Sequence, residues 1–194
     1  MDRSFLIIHG LGGSGPEHWQ SWLNSELEDA GETVYYPTLP EYDNPYKDKW
    51  LKKLEETFQT ITSDHIIVVA HSLGCVLWLH FALKNADKIK NSVKRVILVA
   101  PPSPYLKHEI IQRFFPLPIK GKELLQSIDH SLQIQSTNDT YCTVEDSQFY
   151  KDLGISQLLV VNKGHINIDS GFGKWQWMLD YCLDQNHEFA VHEG

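Results

Sequence analysis

Hydrophobic positions along the chain follow two alternating rhythms. Five short stretches are dominated by consecutive apolar or β-branched residues, Phe5–Ile8, Thr33–Tyr36, Ile66–Ala70, Val93–Ala100 and Gln157–Val161, and a sixth, Leu132–Ser136, places Leu and Ile between polar residues. Runs of that length and composition predict strands, several of them buried on both faces. Between them the apolar residues recur at three- and four-residue intervals, as in Trp19, Trp22, Leu23 and Leu27, in Trp50, Leu51, Leu54 and Phe58, and in Val76, Leu79 and Leu83. That spacing predicts helices with one inward face. The first helix is expected to start at Ser14, because Ser14–Gly15–Pro16–Glu17 has the form of a capping box. The others are expected over Lys47–Thr60, Cys75–Asn85, Val144–Leu153 and Lys174–Leu183. Strands alternating with helices imply an α/β fold with a parallel, doubly wound sheet, whose ligand site lies at the carboxyl ends of the strands.

The stretch 103–130 breaks the rhythm. It holds Pro104, Pro116, Pro118 and Gly121 among aromatic and aliphatic residues. One reading is a crossover helix over His108–Phe115. The other is a cap-like insertion in an otherwise single domain of residues 1–194. Phe114, Phe115 and Leu117 would then wall an acyl pocket near Trp175, since Phe114 to Ile119 is too apolar to be left in water.

Composition narrows the partners. A hydrophobic content of 42% is enough for a full core, and a net charge of −8 disfavours nucleic acid or an anionic membrane. No apolar run is long enough to span a bilayer, and the first residues lead straight into a strand without a signal-peptide layout. Three cysteines (Cys75, Cys142, Cys182) cannot all pair, and no metal-ligand spacing occurs. Reduced thiols and a cytoplasmic location are expected.

The candidate chemistry centres on Ala70–His71–Ser72–Leu73–Gly74, which joins a predicted strand to a predicted helix. A serine at such a sharp turn has the geometry of a nucleophile elbow, with small residues two before and two after it. A serine hydroxyl needs a base, and the base needs an acid to orient it. The order Ser, Asp, His is met by Ser72, Asp139 and His165, each just after a strand. Asp129 precedes its strand, Asp146 and Asp152 fall on a helix, and His187 and His192 belong to a polar tail. His71 adjoins the serine, and neighbours in that turn diverge. Oxyanion donors are expected from the Leu73 N–H and from the loop after the first strand, at Leu11 or Gly12. That loop, Gly10–Leu11–Gly12–Gly13–Ser14–Gly15, also matches the dinucleotide pattern G-x-G-x-x-G. However, no acid closes the second strand to hold a ribose.

Three stretches resemble a known group: Gly12 to Trp22, the elbow Ala70–Gly74, and Gly164 to Gly173. They are similar to the compact serine hydrolases of the YdeN and retinoblastoma-binding protein 9 type. The resemblance implies a small α/β-hydrolase with strand order 2-1-3-4-5-6 and a triad of Ser72, Asp139 and His165. The expected activity is hydrolysis of a small carboxylic ester, with amide and thioester as related alternatives, and no cofactor or metal. A catalytically silent binding protein and a dinucleotide-binding protein are the competing readings.

Overall fold

Six strands form one fully parallel sheet in the order β2-β1-β3-β4-β5-β6. They are β1 (Ser4–Ile8), β2 (Thr33–Tyr35), β3 (Ile66–His71), β4 (Val93–Val99), β5 (His130–Ser136) and β6 (Ser156–Val160). The structure is a computed structural model that describes residues 3–118, 128 and 130–184. Ile119, Gly121, Asp129, His187 and His192 lie outside them, as does most of the second half of the 103–130 stretch. Helices are α1 (Trp19–Asp29), α2 (Lys47–Thr60), α3 (Leu73–Lys84), α4 (Ala86–Ser92), α5 (Val144–Asp152) and α6 (Gln176–Leu183). No helix among the described residues is long and apolar enough to cross a membrane.

The continuous apolar runs are explained by burial on both sheet faces. Leu6, Ile8, Val68, Ala70, Val96 and Leu98 point into one core with α2 and α3. Their alternate neighbours Phe5, Ile7, Ile67, Val69, Ile97 and Val99 point into the other, with α1 and α6. Pairing puts Ile8 beside Ala70, His71 beside Val99, and Ser136 beside Val160. The carboxyl ends are therefore level, and the loops that follow them share one edge.

The start of α1, the presence of α4 and the form of the 103–130 segment differ from the sequence expectation. α1 begins at Trp19, not Ser14, because His18 is extended (φ −77°, ψ 144°) and its side chain accepts the Gln20 N–H. Ser14 instead bonds the Gln20 side chain through its hydroxyl. α4 carries no amphipathic signal, since Ile89 is its one buried residue. It starts where Asn85 closes α3, bonding back to the Phe81 carbonyl through backbone and side chain. Within 103–130 the described helix is a short 3-10 segment, Glu109–Phe114.

Gly74, in the first turn of α3, packs where a Cβ would lie 2.6 Å from the carbonyl oxygens of both Ile8 and His9. Backbone atoms cannot yield as a flexible side chain can. Gly74→Ala is expected to destabilise the protein by about 1–3 kcal/mol through overpacking. Gly15→Ala, where a Cβ meets nothing within 4 Å, should stay within about 0.5 kcal/mol of the parent. Urea unfolding of the two variants checks this.

Candidate active site

Ser72 sits between β3 and α3 with φ 52° and ψ −125°, a backbone region that costs a non-glycine residue about 1–3 kcal/mol. Its N–H bonds the Val99 carbonyl at the end of β4, and its carbonyl accepts the Cys75 N–H. The turn lifts the side chain off the strand line and leaves the Leu73 N–H at the free end of α3. Gly10 permits the close approach of the β1 loop, since a Cβ there would lie 2.8 Å from the Ser72 Cβ.

Three side chains converge on this turn. Ser72 Oγ lies 2.8 Å from His165 Nε2, and His165 Nδ1 lies 2.9 Å and 3.1 Å from the two Asp139 carboxylate oxygens. A carboxylate only accepts, so Nδ1–H donates to Asp139 and Nε2 is left to accept the Ser72 hydroxyl. The Asp139 side chain is fully buried, and it also accepts from the Tyr141 N–H (2.9 Å) and Gln135 Nε2 (3.3 Å). Gln135 belongs to a line of hydrogen-bonded amides inside the molecule, running on to Gln133 and Gln157. The Tyr141 ring flanks His165, with ring centroids 4.5 Å apart.

The loop carrying His165 is pinned by residues distant in sequence. Trp19 Nε1–H donates to the Ile166 carbonyl (2.9 Å), and His71 Nε2–H donates to the His165 carbonyl (3.0 Å). His71 thus diverges from Ser72, as expected of its neighbour in the turn, and holds the His165 backbone. Gln20 Nε2 donates to the Ile8 carbonyl at the end of β1. His9 clamps the next loop: its Nδ1–H donates to the Gly10 carbonyl (2.8 Å) while its Nε2 accepts the Leu39 N–H (2.9 Å). Of the two expected loop donors, Gly12 is engaged with the Tyr42 carbonyl. The Leu11 and Leu73 N–H groups have no acceptor among the described residues.

A cavity of about 320 Å³ opens beside Ser72 and His165. It is lined by Leu11, Leu73, Leu106, His108 and Ile111 and by Gly13, His18, Tyr141, Asn167 and Asp169, among others.

The family model for serine hydrolases matches residues 5–183. The chain belongs to the serine hydrolase family. This hydrolase is 29% identical over 179 residues to YdeN of Bacillus subtilis (strain 168), covering 89% of this chain and 90% of YdeN. Its fold is similar to the crystal structure of the B. subtilis ydeN gene product, with TM-score 0.74 and 21% identity over 94% of this chain and 97% of that one. It is similar also to a YdeN-like protein from Pectobacterium atrosepticum, with TM-score 0.72 and 23% identity over 92% and 88% of the two chains.

Four residues expected at the substrate pocket of this hydrolase are not on the cavity wall. Phe114 is fully buried edge-on to Trp50, 5.2 Å between ring centroids, and Leu117 is buried in the same core, with Phe115 packed against it. The His80 ring donates to the Phe114 carbonyl (2.7 Å), which ties this segment to α3. The apolar run finds its cover in the core between α2 and α3, so it need not form a lid. Trp175 packs on the opposite side of the sheet against Trp19 and Phe172. Leu106, His108 and Ile111, earlier in the same segment, reach the cavity instead. The glycine-rich loop does not lead into a helix N-terminus, because α1 begins four residues beyond Gly15. That placement removes the feature a dinucleotide pyrophosphate requires.

Burial keeps several histidines of the site neutral. Burial and the nearby His165 push His18 down to about 4, and burial pushes His71 well below the ordinary histidine value. An unfolded histidine titrates near 6.5. Between pH 6.5 and 4 the unfolded chain therefore takes up protons that folded His18 refuses. Its contribution to stability is complete above pH 6.5 and is lost as the pH falls. Tm should drop when the pH is lowered from 7.5 to 5.0, and the drop should be smaller in His18→Asn, as measured by calorimetry.

Proposed function

We propose that this serine hydrolase cleaves small carboxylic esters through an acyl-enzyme on Ser72. His165 takes the hydroxyl proton as Ser72 Oγ attacks the carbonyl carbon. The oxyanion is received by the Leu11 and Leu73 N–H groups. His165 then gives its proton to the departing alcohol, and Asp139 orients and stabilises the imidazolium. Water repeats the sequence on the acyl-enzyme, releasing the acid. The route uses no metal or cofactor. Amides and thioesters would follow the same steps.

The observation that carries this reading is the unbroken line Ser72 Oγ to His165 Nε2 and His165 Nδ1 to Asp139, both bonds at 2.8–2.9 Å. The cavity against Ser72 has room for a small ester. The buried, unpaired thiols Cys75, Cys142 and Cys182 support placing the enzyme in the reducing cytoplasm.

With a short-chain ester as substrate, Ser72→Ala should lower kcat/KM by about a thousandfold or more while the protein stays folded. Asp139→Asn should cost up to about 10⁴-fold in kcat by favouring the wrong imidazole tautomer. Asp146→Asn, in the first turn of α5, should change little. Near-parent turnover by pure Ser72→Ala would end the reading.

A further inference from the structure

The cavity beside Ser72 has two unlike walls. On one side, Leu73 and Ile111 belong to the core packed by α2 and α3, and Leu11 and Leu106 lie against it. On the other side His18, Asn167 and Asp169, with the apolar Ile168 between the last two, make a mostly polar wall next to the buried Trp19 and Ile166 of the second core. His165 is two residues from Asn167, and it is the proton donor to the departing group. A leaving group that takes its proton from His165 would sit on the side of the loop that carries Asn167 and Asp169, with the acyl chain toward the apolar wall.

His18 is the fixed donor of that polar wall. Its Nδ1 accepts the Gln20 N–H (3.2 Å) as the cap of α1, so the ring proton is on Nε2. The ring is buried and held by Trp19 and His71, with centroids at 5.6 Å and 5.1 Å. Nε2–H has no acceptor among the described residues. The ring is neutral at working pH, with its one acceptor nitrogen already taken, so it cannot compete with His165 as a base. What it can do is donate one hydrogen bond into the cavity. Asp169 offers an acceptor on the same wall.

We propose that His18 is a substrate-binding residue whose Nε2–H bonds an oxygen of the leaving alcohol, so that the site selects esters of alcohols carrying a second oxygen. This rests on the ester reading above. A glycol- or polyol-type alcohol would satisfy His18 with an ether or hydroxyl oxygen. A hydrocarbon alcohol of equal length would displace solvent from the Nε2–H without replacing its hydrogen bond, which is the source of the discrimination.

The test compares 2-methoxyethyl butyrate with n-butyl butyrate, which differ by one oxygen in place of a methylene. Wild-type enzyme should favour the methoxyethyl ester by about tenfold beyond the ratio seen in hydroxide hydrolysis. His18→Asn keeps a good helix cap but loses the Nε2 donor, and it should bring the ratio down to the hydroxide value. His18→Gln, whose amide nitrogen can stand near the Nε2 position, should recover part of the preference. An equal fall on both esters in His18→Asn would make His18 merely structural and overturn the assignment. If His18→Asn fails to fold, the wild-type ratio alone decides: the hydroxide ratio in wild type, with Ser72→Ala inactive, overturns the His18 assignment and leaves the ester reading standing. No turnover of either ester overturns both.

Discussion

The backbone of Ser72 is held in a conformation that a serine does not choose. At φ 52° and ψ −125° it is strained, and the surroundings leave it no alternative. β3 ends in register with β4, so the Ser72 N–H meets the Val99 carbonyl. α3 starts at the next residue and crosses β1 so closely that position 74 has no room for a side chain. Gly10 brings the β1 loop against the Ser72 Cβ in the same way. The buried sheet and two contacts without slack thus fix one hydroxyl at the head of a cavity. Pre-organisation of this kind removes the cost of arranging the group at the moment of reaction.

His165 is placed by a different device. His165 lies on a loop beyond β6, near the edge of the sheet, and a loop alone would not hold it to a fraction of an ångström. It is held by two hydrogen bonds from distant parts of the sequence, Trp19 to the Ile166 carbonyl and His71 to the His165 carbonyl, and by a local one, the Ser170 hydroxyl accepting the His165 N–H. The adjacent residues His18, Trp19 and Gln20 divide the labour. The first caps α1 and faces the cavity, the second pins the His165 loop, and the third ties α1 to the end of β1. A buried polar group left without a partner would be costly, so these bonds specify the arrangement as well as stabilise it.

The sheet was readable in the sequence because β1, β3 and β4 are largely apolar on both faces and helix patterns separate the strands, and the strand order followed from the family resemblance. The elbow was readable because a strand pattern and a helix pattern meet at one serine. Asp139 and His165 could be found by their place after strands. The start of α1 was misread because Ser14 and Glu17 match a capping box locally, while the tertiary contacts of His18 and Gln20 decide the boundary. Phe114, Phe115 and Leu117 were misplaced for a related reason. An apolar run shows that burial is needed but not which surface supplies it, and the core beside Trp50 supplied it here. His18 carried no signal of its own, since a single histidine before a tryptophan has no periodicity; only the fold brings it to the cavity.

As the reactive nucleophile of a pre-formed site, Ser72 should be open to covalent trapping. The most direct measurement is intact-protein mass spectrometry after exposure to a fluorophosphonate probe, followed by peptide mapping. A single adduct is expected, on Ser72, formed by the folded protein and abolished by heat denaturation beforehand. A folded protein that takes up no probe, or an adduct on a different residue, would contradict it.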